Sequence, residues 1–183
     1  YSTGTVLPGL ADFLSARRVS SATNPLDWTN RPTALPPVTG GQRVVFAGKE
    51  ETLKAMKSPE FSPATTVYLP EEMRTSVSFT NVSPVQVTGL SWTAHRISFN
   101  VSAEAAAVVV VAQSWHPSWK VRVDRSPVPL MRANHAFQAF AVGPGEHSVE
   151  LIFTSRAFQA GSGISLMALG LCGGVWLMGS RRR

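Results

Sequence analysis

The chain has 183 residues, 44% of them apolar and 15% charged, with a net charge of +6. That length suffices for one cored domain plus a further segment. Arg181, Arg182 and Arg183 supply half of the net charge. The body is only mildly basic, without a Lys/Arg block or a basic-aromatic ladder, so nucleic acid is excluded as the expected partner. The single cysteine, Cys172, excludes an internal disulfide and a Cys-rich metal site.

The first 64 residues read as a partial α+β segment. Leu10, Phe13 and Leu14 with Arg17 and Arg18 predict a short amphipathic helix. A proline-rich stretch follows over 24–38, then a strand at Arg43-Val44-Val45-Phe46 and a helix around Glu50–Lys57. The chain begins at Tyr1 with no charged-then-apolar leader after it, and the expectation is a piece of a longer protein.

Residues 65–156 read as an extracytoplasmic antiparallel β-sandwich of 8–9 strands, so the fold class is mainly β. TTVYLP, VSFTNV, VQVTGLSW, RISFNV, AAAVVVVAQSW, WKVRVD, VPLMRA, AFQAFAV and HSVELIF are rich in Val, Ile, Phe and Thr, with turn residues between them. Alternation in Val121-Arg122-Val123-Asp124 marks a strand with one wet face. Ala105–Ala112 is apolar throughout, as in a central strand covered on both faces. Asp124-Arg125-Ser126-Pro127 and Gly143-Pro144-Gly145-Glu146 read as hairpin turns.

Residues 157–183 read as a C-terminal transmembrane helix with a cytoplasmic arginine tail. No charged residue occurs from Ala157 to Ser180, and roughly 20 apolar residues cross a bilayer core. Trp176 is expected near one interface, with the arginines on the cytoplasmic side. Gly161, Gly163, Gly170, Gly173 and Gly174 suit close packing of membrane helices. The lipid bilayer is thus the first expected partner. The same tail also reads as a cleavable sorting signal, with a secreted adhesion or carbohydrate-binding module ahead of it.

The stretch from Trp115 to Phe153, followed by an apolar helix, resembles the C-terminal end of the bacterial membrane protein YfhO family. Trp115, His116, Pro117, Trp119 and Lys120 match an aromatic-aromatic-Pro-Gly-Trp-Lys element, and Asp124 matches the Asp-Gly that ends the next strand. Val128 and Pro129, then Arg132, Ala133, Asn134 and Phe137, then Pro144, Gly145, His147 and Val149 continue the pattern. The resemblance spans roughly residues 30–180 and is strongest over 113–165. Ser118 and Arg125 stand where the family has glycine, which alters turn geometry rather than chemistry.

The resemblance implies a multi-pass membrane protein of the GT-C glycosyltransferase type, acting on cell-envelope polymers with lipid-linked sugars. The family's acidic residues on early loops have no counterpart here, so the expectation is a non-catalytic domain serving an upstream membrane domain. A glycan or polyprenyl-phosphate sugar is the further partner implied, with no cofactor.

Trp115, His116, Trp119, Arg132 and Asn134 are the candidate ligand-binding residues. Trp119 shares a strand face with Val121 and Val123, which places it in the core. Trp115 either packs or stacks on a sugar ring. Arg132 and Asn134 are polar within an otherwise apolar strand, and either line an edge of the sandwich or serve solvent and a turn. His116, His135 and His147 lack metal-ligand spacing. No P-loop, GxGxxG or GxSxG is present, so no catalytic residue is expected. The sequons at Asn81 and Asn100 are short enough to arise by chance.

Overall fold

A computed structural model describes residues 8–21 and 23–180. Residues through Ile152 form one compact unit and Phe153 onward a second. In the first unit a short helix α1 (Pro8–Phe13) precedes a two-stranded hairpin, β1 (Arg18–Ser20) with β2 (Trp28–Asn30). Then come β3 (Val38–Gly40), β4 (Arg43–Phe46), helix α2 (Lys49–Met56), β5 (Thr66–Leu69) and a 3-10 turn, Glu71–Thr75. The remaining strands are β6 (Val85–Trp92), β7 (Arg96–Ala103), β8 (Ala107–Ser114), β9 (Trp119–Val123) and β10 (Ser126–Val128). They end with β11 (Met131–Ala133), β12 (Phe137–Val142) and β13 (Gly145–Phe153).

Nine of these strands build two antiparallel sheets, ordered β10-β9-β13-β7-β6 and β11-β12-β8-β3. Alternation sets how they meet. Along β7 the side chains of Ile97, Phe99, Val101 and Ala103 are buried, as are Trp119, Val121 and Val123 along β9. Phe99 meets Phe140 of β12 with ring centroids 6.4 Å apart. In β8, Ala107 through Val111 are all buried. The other face of the four-stranded sheet explains this: Val108, Val110, Met131, Ala133, Phe137 and Ala139 share a second core with Val44, Met56, Phe61, Val67 and Leu69. The predicted central strand is therefore covered on both faces, as expected.

The second core belongs to a β-α-β unit. β4 and β5 pair in parallel, Arg43 opposite Thr66 through Phe46 opposite Leu69, and parallel neighbours require a crossover, here α2. Glu50 and Glu51 in its first turn suit the positive end of the helix dipole. Thr52 and Met56, one turn apart, are its buried pair.

Four expectations need correction. The boundary at 64/65 does not hold, because β3 joins the sandwich by pairing with β8, while TTVYLP (β5) belongs to the parallel pair. VSFTNV forms no strand; Val77 is buried from irregular backbone. VPLMRA splits at Pro129-Leu130 into β10 and β11, which lie in different sheets, and Pro129 has no N–H to extend a ladder. Gly143-Pro144-Gly145-Glu146 is not a hairpin: both edges of β12 are already taken by β11 and β8, so β13 crosses to the other sheet. The turn at Asp124-Arg125 does join a hairpin, with positive φ at both residues (51° and 68°), the backbone of a type I′ turn.

The second unit contains helix α3, Arg156–Ser180, of 25 residues. Phe158, Ile164, Leu166, Met167 and Leu169 along it are exposed. Among the described residues no helix is long and apolar enough to cross a membrane. The expected interfacial side chain of Trp176 and the arginines 181–183 lie outside the described residues.

Candidate functional site: two clefts that share Trp115

The parallel pair ends in a cleft of about 470 Å³. Its lining includes Gly48 and Lys49 just beyond β4, Tyr68 and Glu72 at the end of β5, and Trp115 and Arg132 from the sandwich. Carboxyl ends of parallel strands are where α/β units commonly hold ligands, because loops and helix N-termini converge there. Lys49 and Glu72 supply opposite charges, and His135 completes the wall.

Trp115 and Arg132 are brought together. The chain leaves β8 after Ser114, and the Trp115 N–H still donates to the Ala136 carbonyl at 2.7 Å. This anchors the indole beside β11, where the Arg132 guanidinium lies 4.4 Å from the ring centroid. A cation over an indole face is attracted by the ring quadrupole, by roughly 0.5–1 kcal/mol at an exposed site. The arginine thereby holds the tryptophan at the sandwich edge instead of standing free in solvent.

The other three candidates separate from this pair. Trp119 is 5% exposed and packs in the core, and it also lines the groove along β9 and β10. Asn134 is 2% exposed. Its Oδ1 accepts the Tyr68 N–H at 2.7 Å, and its own N–H donates to the Tyr68 carbonyl at 2.8 Å. The side chain thus extends β5 by one mimicked strand pairing and is unavailable to a ligand. Its expected place on the ligand edge is corrected accordingly. His116 is exposed and accepts the Ser118 N–H at Nδ1 (3.1 Å), so it caps the turn into β9.

A second groove, of about 440 Å³, lies along β9 and β10 and shares Trp115 and Leu130 with the first. Elsewhere, His147 Nδ1 lies 2.7 Å from Asp124 Oδ2 and its Nε2 lies 3.2 Å from the Gly143 carbonyl. Both partners are acceptors, so only the imidazolium satisfies both ring nitrogens. The hydrogen bond to Asp124 raises the His147 pKa, and bonds from His147 and the Ser148 N–H lower that of Asp124. This pair ties the β9-β10 turn to the crossing into β13. Among the described residues no group of three or more His, Cys, Asp or Glu is placed to hold a metal ion.

Sequence reasoning missed Lys49, Tyr68, Glu72 and His135 as cleft residues. The strand-helix-strand pattern of RVVF, KEETLKAM and TVYL was the available signal, since it locates the carboxyl ends where such clefts open. No protein-family model matches this chain, and no curated protein matches it.

Proposed function

We propose that this chain is a non-catalytic, extracytoplasmic domain of a YfhO-like multi-pass membrane protein, and that it positions a saccharide for glycosylation of a cell-envelope polymer. The observation that carries the binding role is the Trp115–Arg132 stack, set between two clefts on the edge of a rigid sandwich. An aromatic face held in place presents an apolar platform to a sugar ring at small entropic cost. The reacting groups lie, in this reading, on the membrane domain that the family resemblance implies.

The membrane role rests on α3 and its sequence. Ala157 to Ser180 carries no charge. The tail thus serves as an anchor that places residues before about 157 outside the cytoplasm, with the arginines inside.

Calorimetric titration of the full chain in polyoxyethylene-ether micelles with a panel of oligosaccharides tests the binding role. At least one saccharide binds, and Trp115→Ala abolishes the heat while leaving the circular dichroism spectrum unchanged. A silent panel, or binding indifferent to Trp115→Ala, overturns the reading. For the anchor, carbonate extraction of membranes leaves the exported chain in the pellet at its full mass. Release into the supernatant removes the anchor.

A further inference from the structure

The two clefts that meet at Trp115 differ in charge. Glu71 and Glu72 line the first, whereas the second has no carboxylate in its lining. Pro117, Pro127, Val128 and Pro129 form its apolar part, and His116, Lys120 and Arg122 its polar part. The alternation of β9 produces this arrangement: Trp119, Val121 and Val123 turn inward, so Lys120 and Arg122 stand outward. Pro127 is register partner to Arg122, which sets a rigid apolar ring beside the guanidinium.

Neither Lys120 nor Arg122 belongs to any ion pair among the described residues. The carboxylate closest in sequence, Asp124, is engaged by His147 and by the Ser148 N–H. Two outward cations two residues apart stand roughly 7 Å from one another on an extended strand. Bringing them together without an acid costs repulsion that an anionic ligand relieves. Arg132 lines only the first cleft, so its stacking steadies the indole without filling the groove.

We infer that this groove binds an acidic sugar, its ring against Trp115 and the prolines and its acid group across Lys120 and Arg122. The inference deepens the saccharide reading above and rests on it. The guanidinium offers paired donors that match a carboxylate or phosphate, and the ammonium a compact charge beside it. A volume of about 440 Å³ falls within the range of small-ligand sites. The concavity favours a sugar chain over a flat lipid surface, which meets a convex patch.

The full chain in polyoxyethylene-ether micelles is titrated with an oligogalacturonate and with a neutral oligogalactoside of the same length. The acidic oligomer binds about tenfold more tightly at low salt, and the preference shrinks as salt is raised. Lys120→Ala with Arg122→Ala removes the preference, so that the acidic oligomer no longer binds more tightly than the neutral one. Both side chains are exposed, and an unaltered circular dichroism spectrum confirms the variant's fold. Equal affinities for the two oligomers, or a preference that survives the double substitution, overturn the acidic-sugar inference and leave saccharide binding standing. Failure of both oligomers to bind, with phosphatidylglycerol vesicles binding in their place, overturns the inference in favour of a lipid headgroup. Failure of all three overturns it outright, and the wider oligosaccharide panel then decides the saccharide reading separately.

Discussion

Asn134→Ala is the most informative single substitution for the fold. It removes the acceptor of the Tyr68 N–H, a 2.7 Å hydrogen bond made by a side chain 2% exposed. Leaving that donor unpaired costs about 1–3 kcal/mol. The backbone adds to this. Asn134 has φ +46°, a left-handed conformation that asparagine tolerates and alanine resists by about 1 kcal/mol. The expected loss is therefore about 2–4 kcal/mol, a large fraction of a small domain's stability. Urea unfolding of the full chain in micelles, followed by tryptophan emission, measures it as a fall in midpoint at constant slope. Asn134→Gly separates the two parts, because glycine accepts the conformation but restores no acceptor. A loss under about 0.5 kcal/mol for the alanine variant would refute the account. So would a glycine variant as stable as the parent.

Three further outcomes follow from the same geometry. Arg125→Gly relieves a residue at φ +68° in the β9-β10 turn and stabilises the domain by about 0.5–1 kcal/mol after glycine's own entropy; a midpoint below the parent's would contradict this. At Gly41 (φ +80°) an added Cβ would run into the Ser83 carbonyl oxygen, so Gly41→Ala costs more than about 2 kcal/mol, and an unchanged midpoint would be incompatible with that contact. The His147–Asp124 pair makes stability depend on pH in two windows. The raised His147 pKa means a contribution that is complete below about 6.5 and is lost as pH rises through the folded-state value. The lowered Asp124 pKa means one that is present above about 3.9 and is lost as pH falls through its folded-state value. Urea midpoints at about pH 6 and about pH 8.5 differ in the parent, and His147→Gln narrows the difference; a parent with equal midpoints would remove the claim.

Where burial alternates along a strand, the sequence made it visible. Trp119, Val121 and Val123 were legible as an inward row, and the run Ala107–Val111 as a strand with two covered faces. Alternation names a face, though, not a sheet. Nothing local in Gly143-Pro144-Gly145-Glu146 says that β12 has both neighbours already, and so the turn reads as a hairpin when it is a crossing. The same limit applies to the polar residues. Asn134 finds Tyr68 across 66 positions, and His147 finds Asp124 across 23. An asparagine in an apolar strand looks the same in sequence whether it faces a ligand or substitutes for a backbone pairing. The first cleft was closer to legible, because β4, α2 and β5 lie within 27 residues and their order alone locates its mouth.

Trp115 and Trp119, four positions apart, show why the site lies where it does. β8 belongs to one sheet and β9 to the other, so the chain must cross the sandwich edge between Ser114 and Trp119. Pro117 suits that crossing, since it has no N–H to leave unpaired as the ladder ends. The turn closes through two bonds to His116, from the Ser118 N–H to Nδ1 and from the Trp119 N–H to the carbonyl. The aromatic side chain that enters β9 is buried at once, while the one on the crossing has no sheet to cover it. Arg132 and the two clefts are what it meets instead. A half-buried indole at a sheet crossing is thus a consequence of topology, and holding it by a cation from the neighbouring strand turns that consequence into a fixed surface.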